Sequence, residues 1–314
     1  MPKKLKIDSL SAEITSIKEL LASALNAGDV VGELQLKHRL EKQIAELESL
    51  KVNSLVDNSA SVAIFFGGNP VLGSKGIAAE FAGLALEKFQ NLISKTFATT
   101  EVGTLGERGK IPFKAQSELM VTGLARGSFG FVLDEMSDQT EHEASALTHV
   151  IDKATHLIRD TAAQDDAVFE SLIEELDART LLALKEMFSN LDSNKATLRV
   201  VEGDLDITLD KYAVHRGKVR TEATSIDEET TEISGILEGL LPEHRKFEIR
   251  SKSGQLIYGT ATKEAVEQFE KASKSVIGKQ CLASVTIKTI VPLNRPQREI
   301  IRLLEFLSFD QTDT

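Results

Sequence analysis

Gly68 and Gly73, with four residues between them, are followed by Ser74 and Lys75 in the stretch FFGGNPVLGSKG, Phe65 to Gly76. Glycines at this spacing ahead of a helix let successive backbone N–H groups face an anion. In a phosphate loop the next lysine reaches the terminal phosphates, and the Ser or Thr after it holds magnesium. Here the last two residues are exchanged, which turns their side chains about 100° from the directions that chemistry requires. Pro70 also removes a backbone donor. The acid-bearing strand such enzymes need would be Phe131–Glu135, yet it reads as one arm of a tight hairpin, not as part of a parallel sheet. The expectation is a strand-to-helix turn with Ser74 as N-cap. The chemistry left to this loop is anion or nucleotide binding without hydrolysis, through Gly68, Gly73, Ser74 and Lys75. Arg126, in the second glycine-rich stretch GLARGSFGF, would add charge. The glycines of that stretch (Gly123, Gly127 and Gly130) serve the turn and a crowded crossing of the sheet.

Other reactive residue types do not assemble into a catalytic set. His142, His149 and His156 recur every seven residues, about 10.5 Å along one helix, too far apart to share a metal. They fall on the face opposite Leu147, Ile151, Ala154 and Ile158 and are expected in solvent. Glu202, Asp204, Asp206 and Asp210 cluster, but the calcium-loop pattern is missing, so they read as edge and turn charges. Cys281 alternates in phase with Ala283, Val285 and Ile287, which makes it an inert core thiol. No Gly-x-Ser-x-Gly elbow occurs. No catalytic residue, cofactor or metal is assigned. Lys246, Arg250, Lys252 and Lys288, with Tyr258 as a stacking platform, form an alternative set for single-stranded nucleic acid. Glu238, Glu248, Glu299 and Glu305 dilute its charge.

The elements that must position these residues come in three blocks. Residues 1–55 carry two apolar stripes, Leu10 to Leu25 and Leu36 to Leu50, broken at Asn26–Asp29: a helical hairpin or short coiled coil. Residues 56–225 read as a central α+β domain. It has a strand at Val62–Phe66, a helix of about twenty residues, a hairpin at Glu118–Met136, helices near 141–161, 166–176 and 178–191, and two strands from Ala196 and Leu205. The acidic stretch Ser225–Glu232 marks a boundary. Residues 226–314 give three strands, a helix from Lys263 and two more strands, the order of a small OB-like antiparallel barrel.

The formal net charge of −11 argues against a dedicated binder of duplex DNA or anionic membranes. One cysteine precludes an intrachain disulfide, and no apolar run approaches a membrane span. Together these features point to a non-enzymatic, cytoplasmic interaction or adaptor protein of bacterial build, including an immunity component against phage. Its hairpin would form a homo-oligomer, such as a dimer, and its other surfaces would meet a protein partner.

Overall fold

The run Val62–Phe66 shows no alternation of apolar and polar residues because both of its faces are covered. The structure, a computed structural model, describes all residues except 53–58, 104, 106–108, 126–128, 137–144, 273–275, 293–295 and 310–314. It is a mixed α+β protein whose contacts divide it into two units: residues 1–103, 110–169 and 182–219, and residues 104–109, 170–181 and 220–314.

The first unit opens with α1 (Lys3–Ala27) and α2 (Val30–Val52), an antiparallel pair. The Asn26–Asp29 break works as its sequence suggests. Gly28 takes φ +69°, which costs glycine nothing, and its N–H turns back to Ala24 and Leu25. Asp29 Oδ1 then accepts from Gly32 N at 2.9 Å and caps α2. Ile14 and Ile17 of α1 are buried, and Arg39 of α2 pairs with Glu13 of α1.

β1 (Ser61–Gly68) leads to two very short strands, β2 (Val71–Leu72) and β3 (Gly76–Ile77), and then to α3 (Ala79–Val102). A 3-10 turn at Lys114–Ser117 precedes β4 (Leu119–Ala125) and β5 (Phe129–Glu135). Three helices follow: α4 (Ala146–Thr161), α5 (Asp166–Glu175) and α6 (Ala178–Ser193), of which residues 170–181, most of α5 and the start of α6, belong to the second unit. Ser145 caps α4 through Thr148 N, Asp165 accepts from Ala167 N, and Asp177 accepts from Thr180 N. Last come β6 (Ala196–Glu202), β7 (Leu205–Leu209) and α7 (Lys211–Ala223).

The sheet has the order β4-β5-β1-β6-β7, and every neighbouring pair is antiparallel. On one face Ile64, Phe66 and Leu198 meet Ala85 and Phe89 of α3 and Met187 and Leu191 of α6. On the other, Ala63, Phe65 and Val201 receive Leu5 of α1. Gly130 lies opposite Phe65 in the register, and a β-carbon there would run into the Phe65 ring. The glycine thus admits a buried aromatic to the sheet surface.

Strands β8 (Ser225–Leu241), β9 (Lys246–Ser251), β10 (Leu256–Ala261), β11 (Gln280–Val291) and β12 (Arg298–Phe309) dominate the second unit, with α8 (Lys263–Lys271) after β10. Pairing runs β8–β9–β10–β12–β11 and returns to β8. All pairs are antiparallel except β10 with β12, which meet in parallel at Thr260 and Ala261. Leu237, Phe247, Ile249, Val285 and Leu303 pack inside with Ala265 and Phe269 of α8.

Three expectations need correction. Ser225–Glu232 is not uncovered: it is the first half of β8, paired residue for residue with Val291–Ser284 of β11, close to where the long segment of the second unit begins at residue 220. Asp227 and Glu229 face water, where acids on a strand cost little, while Glu228 on the opposite side is half-buried near Lys288. Helix α7 has no counterpart in the sequence reading: it buries few side chains, and Gly217 serves it by letting the Phe188 ring approach. Ser74 caps no helix. α3 starts at Ala79 after Ala78, which makes no side-chain cap.

Candidate functional site

Ser74 and Lys75 sit in the turn of a small hairpin, not at a helix start. Val71–Leu72 pairs with Gly76–Ile77, and Lys75 N donates to Leu72 O at 3.0 Å. Gly73 takes φ +55°, and Gly73, Ser74 and Lys75 are exposed. Gly68 lies before this hairpin, against the backbone of Lys195, where a β-carbon would collide. The loop therefore lacks the row of inward amides at a helix terminus that a phosphate loop uses. Arg126 falls outside the described residues, as does His142.

The nucleic-acid set divides. Lys246 and Arg250 of β9 face outward opposite Thr260 and Leu256 of β10, and Tyr258 between them is 70% exposed. Arg250 pairs with Glu238 at 2.6 Å. Lys252 lies in the exposed turn after β9. Lys288 is not on that face at all. It is buried, and its ammonium donates to the carbonyls of Ile173 at 2.8 Å and Glu174 at 2.7 Å, at the C-terminal end of α5. A cation there satisfies carbonyls the helix leaves open and complements its dipole. Burial holds the Lys288 pKa below the ordinary lysine value, against the pull of nearby Glu228 and Asp177.

The acidic run Glu202–Asp210 also divides, and this the sequence did not disclose. Asp206 is spoken for by Arg199, at 2.8 and 2.7 Å, and by Lys4 at 3.2 Å. Asp210 caps α7 through Tyr212 N and Ala213 N. Glu202 and Asp204 are different. The two-residue turn Gly203–Asp204 joins β6 to β7, and with Glu202 and Leu205 it walls an open cleft of about 510 Å³. Thr148, His149 and Asp152 of α4 form the other wall. Glu202 is only 8% exposed, and burial together with the charges of Asp152 and Asp204 pushes its carboxyl up to about 7. His149 is exposed, as its place opposite the apolar face of the helix implied, and His156 lies 3.7 Å from Asp152. Among the described residues no three His, Cys, Asp or Glu side chains are placed to hold a metal ion together.

A third surface lies at the far end of the helical hairpin. Leu20, Leu25, Val30, Val31 and Leu34 surround the α1–α2 turn and are 51–74% exposed. The hairpin carries eight basic and eight acidic residues over positions 1–52, a net of zero, so the whole −11 resides in the rest of the chain.

Among the described residues no helix is long and apolar enough to cross a membrane. No protein-family model matches the chain, and comparison with curated proteins and with solved structures finds no match either.

Proposed function

We propose that this is a non-enzymatic cytosolic interaction protein that assembles through the tip of its helical hairpin, with a second copy of the chain as the occupant. The exposed apolar ring of Leu20, Leu25, Val30, Val31 and Leu34 carries the reading. Leu5 anchors α1 on the sheet, and Leu20 lies fifteen residues, about 22 Å, further along the helix. The apolar residues thus sit far from the core that α1 serves. Large apolar side chains grouped in this way mark an interaction surface. A second hairpin would cover them in a four-helix arrangement. Charge is compatible with the same choice, because the neutral hairpin adds no net repulsion where two acidic molecules would meet.

The test is native mass spectrometry and light scattering of the parent and of a Val31→Glu, Leu34→Glu double variant. The expected result is a dimer that becomes a monomer in the variant while helical circular dichroism is unchanged. A monomeric parent, or a variant that still dimerises, overturns the reading.

A second reading rests on the C-terminal strands. In this reading the strand ring is an OB-like barrel, supported by the parallel pairing of its third and fifth strands and by the helix between its third and fourth. Its β9–β10 face presents Tyr258 beside Lys246 and Arg250. Salt-dependent binding of short single-stranded DNA, lost in a Lys246→Glu, Arg250→Glu variant, supports this reading, and no binding at low salt ends it.

A further inference from the structure

We propose that the cleft between α4 and the β6–β7 turn binds an organic cation, recognising the ammonium group of a polyamine or of a lysine side chain. The acids alone would not carry this. The deciding observation is Glu202. Glu202, a residue with 8% of its surface exposed, stands on the cleft wall, and its carboxyl receives no hydrogen bond from any described residue while its oxygens still open on the cleft. Buried carboxylates are ordinarily matched by a donor. Its neighbours in the register are Val62 on β1 and Leu205 on β7, neither of which offers a side-chain donor. The elements packed around it add like charge: Asp152 from α4 and Asp204 from the turn. His149 stands on the rim, and His156 leans on Asp152. Three carboxylates around one cleft, the deepest without a partner, make a socket complementary to positive charge.

Size and donor geometry narrow the class. The cleft, at about 510 Å³, falls in the range of small-molecule sites and exceeds what a bare ion needs. The acids and histidine do not converge as metal ligands do. An alkylammonium suits the place better, because its three donors can be shared among separated carboxylates while its methylenes lie along Leu205. Binding also couples to protons. With Glu202 near 7, an arriving cation stabilises the ionised form, so ligand uptake releases a proton near neutral pH and weakens as pH falls below about 7.

The experiment is isothermal titration calorimetry of the full chain with spermidine, with N-acetyl-lysine amide, and with 1,8-octanediol as an uncharged mimic. Glu202→Gln and Asp152→Asn are the site variants. Glu80→Gln, on an exposed turn of α3, controls for general attraction to an acidic protein. The expected result is one saturable spermidine site, weakened at least tenfold by each site variant and unchanged in the control, with no response to the diol. Proton release should show as a buffer-dependent heat near pH 7. Comparable binding of the lysine amide identifies a protein side chain as the source of the ammonium; spermidine binding alone identifies a free polyamine. Equal binding by Glu202→Gln and the parent overturns the proposal, as does absence of binding by both cations.

Discussion

Glu202 shows how one residue can be misjudged from its neighbours in sequence. Four acids within nine positions look alike on paper. In the structure Asp206 belongs to Arg199 and Lys4, Asp210 belongs to α7, and Glu202 belongs to none of the described donors. The difference comes from strand register and from α4, which approaches from far away in sequence. It has a thermodynamic signature. The folded state holds the Glu202 proton up to about 7, whereas an unfolded glutamate releases it near 4.5. Between those values the folded state binds more protons than the unfolded one, so stability falls as pH rises, and the loss is complete above about 7. Replacement by glutamine removes the cost. In urea unfolding at a series of pH values, Glu202→Gln should exceed the parent by about 3 kcal/mol at alkaline pH and match it under acid conditions. A parent and variant that run parallel across the whole range would contradict this assignment.

Elements with strong periodic signals were legible. The hairpin break at Asn26–Asp29, the strand Val62–Phe66, the helices near 166–176 and 178–191 and the order of the five C-terminal strands all follow from local residue chemistry. What escaped was decided by tertiary partners. β8 begins in an acidic stretch because β11 supplies its hydrogen bonds, and α7 persists with a weak apolar face because Asp210 caps it and Phe188 packs against it. Lys288 escaped for the same reason. Its alternation on β11 says nothing of the carbonyls of Ile173 and Glu174, more than a hundred residues earlier, that it serves. That role predicts an energetic effect. Lys288→Ala leaves two carbonyls without their donor and Glu228 with only the weaker of its two nearby cations, Arg302, and should lower stability by about 3 kcal/mol in chemical denaturation. A loss below about 0.5 kcal/mol, the level of an ordinary surface change, would show that the contact matters little.

At the scale of the molecule, charge is distributed unevenly. Residues 1–52 are neutral, residues 231–314 carry twelve basic and eleven acidic side chains, and the intervening stretch holds the acidic excess. Self-repulsion within that stretch should be relieved by screening. The thermal midpoint is expected to rise by a few degrees between about 10 mM and about 150 mM sodium chloride. Duplex DNA should show no mobility shift at the higher concentration. A falling midpoint would mean that specific ion pairs outweigh the net field.

The single cysteine has one more use. Cys281 is 2% exposed on β11, between Gly235 of β8 and Phe309 of β12, and burial pushes its thiol up to about 11. A thiol so placed is both shielded and un-ionised, and a disulfide reagent can reach it only when the strands part. Because no other sulfhydryl competes, the colour released by such a reagent counts openings of the strand ring one at a time: the chain carries its own stopwatch for local unfolding, readable without a label or an introduced probe.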